Sequence, residues 1–145
     1  MTSLMKKYKE DFILFLEAGF IAVNQADEDA AVKLFEASHL LEPKNILPIV
    51  GKGYLHLHKL ELKQAVARFE EAIKKDPENE MAKAFLGIAL SMTPTEAVKG
   101  EKILAQTEKS HDKGIKKLSH TALDFVDKFV KKEQTPLQKT GKKKK

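Results

Sequence analysis

Apolar and polar positions alternate along the chain with a helical period. Residues 28–42, EDAAVKLFEASHLLE, place Ala31, Leu34, Phe35, Ser38 and Leu41 on one side and Glu28, Asp29, Lys33 and Glu36 on the other, the signature of a half-buried helix. FILFLEAGFIAV, ILPIVGKGYLHL and MAKAFLGIALSM are apolar nearly all round, which predicts helices covered on every side. Helices are expected over about 3–25 and over 28–42, the second with Asp27 as N-cap. Another is expected after Asn45 with Pro48 in its first turn, then one over 61–75 ended by Asp76-Pro77, and one over 80–92 capped by Asn79. TPTE, residues 93–96, orders Thr, Pro and Glu as a capping box, so a sixth helix is expected from there to about 110 after a shortened loop. Ile115, Leu118, Ala122, Phe125, Val126 and Phe129 then line one face of a last, amphipathic helix over about 113–132. The expected class is all-α, with seven helices.

The pattern repeats. LFEASHLLEPKN, residues 34–45, and RFEEAIKKDPEN, residues 68–79, share Phe, Glu, acidic-Pro and Asn at the same places, 34 residues apart. The same step pairs Gly19 with Gly53 and Gly87, Ala31 with Ala65, Phe35 with Phe69, Ser38 with Ala72, and Pro43 with Pro77. A fixed period in this range marks stacked helical repeats. These small residues and this punctuation resemble the tetratricopeptide repeat. The resemblance implies a right-handed solenoid of about three helical hairpins, over residues 12–45, 46–79 and 80–111, with the helix at 113–132 as a C-terminal cap in a domain of residues 1–132. The third repeat keeps Gly87 but has Lys99, Ile103 and His111 where Ala, an aromatic residue and Pro belong, so its second helix has drifted.

In that family the first helix of each hairpin packs on one side and lines a concave groove with the other. The resemblance assigns packing to Phe15, Ala18, Gly19 and Ala22, to Ile49, Gly53 and His56, and to Leu86, Gly87 and Leu90. It assigns the groove to Ile13, Leu16, Phe20 and Val23, to Leu47, Val50, Tyr54 and Leu57, and to Met81, Ala84 and Ile88. Almost none of the groove residues is polar. Such a stripe left open would exceed the few hundred Å² of contiguous apolar surface usual for soluble monomers. Covering even ~600 Å² is worth on the order of 15 kcal/mol before the entropic costs of association. The expected cover is a partner's amphipathic helix; the last helix of the chain or a homodimer is the alternative. Repeat proteins that clamp a terminal carboxylate carry Lys, Asn and Arg where this chain has Ile13 and Glu17, Leu47 and Gly51, Met81 and Phe85, so no such clamp is expected.

Composition narrows the setting. The chain has 145 residues, no Cys and a net charge of +5. Without Cys there are no disulfides and no thiolate metal sites, which suits a reducing cytosol. No apolar run approaches the ~20 residues of a membrane helix. Glu10, Asp11 and Glu17 interrupt the apolar FILFL stretch that follows Lys6 and Lys7, which argues against a signal peptide. The positive charge is local: residues 131–145 contribute +6 and residues 1–130 contribute −1. Residues 133–145, EQTPLQKTGKKKK, are expected to form a disordered basic tail. No aromatic residue is interleaved to stack on bases, so nucleic acid is not an expected partner. The lysines at 142–145 leave a membrane-surface adaptor as a weaker alternative.

Catalytic chemistry has few candidates. His56 and His58 are two apart on a helix and diverge, so they cannot share a metal. His56 is expected to be a packed, hydrogen-bonded core imidazole. No nucleophile has a base at a suitable spacing and no phosphate-binding glycine loop is present. A non-enzyme without a cofactor is expected. Length, repeat number, the missing clamp and the apolar groove together resemble the small tetratricopeptide chaperones of bacterial type III secretion, over about residues 10–130, with the needle-subunit chaperone as the nearer type. That resemblance implies a cytoplasmic protein that masks an amphipathic helix of a needle subunit, shared with a small co-chaperone, or of a translocator, and releases it at the export gate. A general scaffold that self-associates through the groove is the alternative.

Overall fold

The computed structural model describes residues 3–130, with side chains from Lys6 onward; the expected basic tail at 133–145 and the last two residues of the expected terminal helix lie outside them. The described residues are helical, without strands. In order they form α1 (Ser3–Tyr8), a 3-10 turn (Lys9–Asp11), α2 (Phe12–Asn24), α3 (Glu28–Leu41), α4 (Leu47–His58), α5 (Leu62–Lys75), α6 (Glu80–Ser91), a 3-10 turn (Pro94–Glu96), α7 (Ala97–Thr107), α8 (Lys113–Phe125) and a π-helical turn (Val126–Val130). α2 pairs with α3, α4 with α5 and α6 with α7, while α2 also touches α4, α4 touches α6, and α8 packs on α6 and α7.

Each hairpin closes on one large side chain. Phe35 and Phe69 are fully buried and sit in two successive core clusters. Glycine makes room for both. A Cβ at Gly53 would lie 2.5 Å from the Phe69 ring, and one at Gly51 would collide with Phe35. Gly19, Ala22, Ile49, Leu86, Gly87 and Leu90 are buried as the repeat register requires, whereas Phe15, Ala18 and His56 are only half-buried.

The caps are mostly where the residues place them. Asp27 accepts from the Ala30 amide at 3.1 Å, Asn79 from Ala82 at 2.9 Å, and Asn45 from Leu47 at 3.0 Å. α2 and α4 both end in Schellman motifs. Ala26 (φ 59°) and Leu60 (φ 60°) are left-handed, and the amides of Asp27 and Glu61 reach back to the carbonyls of Ala22 and His56, 2.8 and 2.9 Å away. Leu60 is largely exposed, so it holds a conformation costly for a side chain without burying one. Leu60→Gly is therefore expected to raise stability by roughly 0.5–1 kcal/mol, read as a higher thermal midpoint.

Pro94 prevents the same ending at α6. It follows Thr93, the residue that stands where Ala26 and Leu60 stand; it has no N–H to donate, and it confines Thr93 to an extended conformation (φ −99°, ψ 114°). Three expectations change as a result. The connection at 92–96 is longer than those at 25–27 and 59–61, not shorter. The capping box does not form: the Thr93 hydroxyl donates to the Ala89 carbonyl at 3.1 Å, makes no cap bond, and residues 94–96 form a 3-10 turn, so α7 begins only at Ala97. α7 is set one residue later, and Gly100, Leu104 and Thr107 occupy the buried places held by Ala31, Phe35 and Ser38 in α3. The first expected helix is also divided. Tyr8 (φ −100°, ψ 4°) and Asp11 (φ −89°, ψ 7°) leave helical geometry, which lets α1 lie on α3 while Phe12 enters the core.

The first two hairpins are also joined by charge. The Lys59 ammonium donates to Glu28 at 2.9 Å and lies 3.1 Å from Glu61, and the Glu61 carboxylate also meets the His56 ring at 3.1 Å. The His56 hydrogen bond first, then Lys59, holds the Glu61 carboxyl below its ordinary 4.5. Its stabilising contribution is therefore present above that value and lost as pH falls through the lower, folded one. Glu61→Gln should lower the thermal midpoint at pH 7, and this difference should narrow below pH 4.5 and close once the wild-type carboxyl is protonated.

Candidate docking face

α2, α4 and α6 lie side by side, with their hairpin partners behind them. On this face three aromatic rings form a line. Phe20 of α2 is 5.4 Å from Tyr54 of α4, and Tyr54 is 5.2 Å from Phe85 of α6. The line continues into the core: Phe20 meets Phe35 edge-on at 5.3 Å, and Phe85 stacks on Phe69 at 5.6 Å. The Tyr54 hydroxyl donates to Asn24 Oδ1 at 2.6 Å, which fixes the ring and ties α4 to α2.

The expected groove residues divide by depth. Phe20, Leu47, Tyr54, Leu57, Met81 and Ile88 are half-buried and present part of their surface. Leu16, Val23 and Val50 are buried in the core clusters of Phe35 and Phe69, and Ala84 is fully buried, so these four expected groove residues present no surface to a partner. Ile13 is 53% exposed and shares the outer edge of α2 with Leu14 and Ile21. The face is thus less open than its composition suggests, because neighbouring rings cover one another. α2 is not covered on every side, since α3 and α4 are its main packing neighbours. Phe85, which the repeat register places at a clamp position but which is absent from the expected groove residues, belongs to this face. It takes the place of Gly51 one period later, and its position between Met81 and Ile88 on the same helical stripe was the available signal.

α8 extends the face. Asp112 caps it, accepting from the amides of Gly114 at 2.8 Å and Ile115 at 3.1 Å. A buried hydrogen bond of 2.6 Å between Thr107 and Ser119 locks it to α7. Ile88 of α6, Met92 just after it, and Leu118, Ala122 and Phe125 of α8 then border an open, almost wholly apolar cleft of about 270 Å³. Phe125 and Phe129 remain half exposed beside it, their rings 5.1 Å apart.

Several polar groups away from the aromatic line are engaged with their neighbours. The Ser38 and Ser91 hydroxyls donate to the carbonyls of Leu34 and Gly87 at 2.8 and 2.7 Å. His120 meets Glu108 at 2.8 Å on an exposed surface. Among the described residues no group of three or more His, Asp or Glu side chains is placed to hold a metal ion, and no helix is long and apolar enough to cross a membrane. What the face offers is apolar area with one anchored phenol. Comparison of the chain with protein-family models, with curated proteins and with solved structures finds no match.

Proposed function

We propose that the chain is a tetratricopeptide-repeat solenoid whose groove docks an amphipathic helix of another protein. The repeat reading is supported by α3 and α5 beginning 34 residues apart, by the matched Schellman endings at Ala26 and Leu60, and by the successive burial of Phe35, Phe69 and Leu104. The observation that carries the binding reading is the line Phe20, Tyr54 and Phe85, half-buried on three adjacent helices and leading toward the apolar cleft at Ile88. A helix laid there would insert anchors spaced i, i+3 or i+4, and i+7.

Within that class the reading is a cytoplasmic chaperone of type III secretion. Its client is a needle subunit held with a small co-chaperone, or a translocator, whose apolar helix face is masked before export. The test is copurification with the tagged chain from its native lysate, with mass spectrometry of what is retained. The reading expects a small helical secreted polypeptide at near-stoichiometric amount. Recovery of the chain alone as a closed dimer would favour a self-associating scaffold instead.

A further inference from the structure

We propose that the groove selects a helix whose apolar stripe is bordered on one side by Lys or Arg; this rests on the docking reading above. The N-terminal ends of α4, α6 and α8 bring Leu47, Met81 and Ile115 to an open cleft of about 360 Å³, and Leu47 and Met81 belong to the docking face. Asp76, Glu78 and Glu80 line the same cleft, and no Lys, Arg or His does. None of the three is in an ion pair among the described residues. Asp112 also lines it, but its carboxylate already caps α8.

Two other clefts at helix ends mix signs. One contains Lys63 and Lys99 with Glu70 and Glu96, and another Lys9 and Lys44 with Glu42. The adjoining cleft, which shares Leu47, Asp76 and Asn79 with the acidic one, carries Lys44 and Lys75. The carboxylates do not converge to hold a metal ion, so they act as a rim facing whatever covers Leu47 and Met81. Charge complementarity then gives one rim of the face a sign, and the opposite sign belongs to the occupant.

The experiment uses the full chain and two synthetic helical peptides, each roughly four turns long with the same apolar stripe, one bordered by Lys and the other by Glu. Fluorescence anisotropy at low and high salt measures their dissociation constants. The Lys-bordered peptide is expected to bind roughly tenfold tighter at low salt, and the preference should shrink as salt screens the rim. Glu78→Lys with Glu80→Lys, both at exposed positions, should reverse the order of the two peptides. Equal binding of both peptides, unchanged in the double variant but lost in Tyr54→Glu, overturns the charge selection and leaves the docking reading standing. Binding of neither peptide overturns both.

Discussion

Phe69→Ala should cost the fold roughly 3 to 5 kcal/mol. Phe69 is fully buried, and its ring is packed against the backbone of Gly53 and stacked on Phe85. Neither neighbour can fill the space left behind. Gly53 has no side chain to extend, and Phe85 is held on its other side by Tyr54. The lost ring therefore leaves a cavity between α4, α5 and α6, and the transfer and cavity terms both count. Urea unfolding followed by far-ultraviolet circular dichroism measures the loss. A change below about 1 kcal/mol would mean that the second hairpin does not close on this residue.

Tyr54→Glu, alone or with Leu57→Glu, should abolish partner binding while the helical signal persists. Both positions are half-buried, so in the free chain a carboxylate there can turn to water. Beneath a bound helix it could not, and an unpaired charge between Phe20 and Phe85 would be desolvated at prohibitive cost. Tyr54→Phe separates the effects: it keeps the ring contacts and removes only the hydrogen bond to Asn24, so binding should survive. Unchanged binding in the double Glu variant would rule out docking on this face.

Much of this architecture is written in short-range signals. Asp27 and Asn79 cap the helices that follow them because a carboxylate or amide oxygen three residues ahead of a free N–H has little choice of partner. The spacing of Phe35 and Phe69 likewise marks where two hairpins close. The third hairpin was harder to read because a rigid step of 34 residues lands on Lys99 and Ile103. Pro94 lengthens the connection, and Gly100, Leu104 and Thr107 repeat the same spacing one residue later. The depth of the face was not legible either. Whether Leu16, Val50 or Ala84 is core or surface depends on how closely adjacent helices approach, and sequence periodicity gives direction without distance. The acidic cleft is a tertiary feature: Leu47, Asp76 and Ile115 meet only because α4, α6 and α8 begin at the same end of the molecule.

The central claim is that the line through Phe20, Tyr54 and Phe85 is where another protein's helix lies. Photo-crosslinking in native cells tests it directly, with benzoylphenylalanine in place of Tyr54 and, as a control, in place of Val98, an 82% exposed residue of α7. The account predicts an adduct from position 54 to the apolar face of a small helical polypeptide, and none to that polypeptide from position 98. Adducts from position 54 only to a second copy of the chain, or the same adducts from both positions, would contradict it.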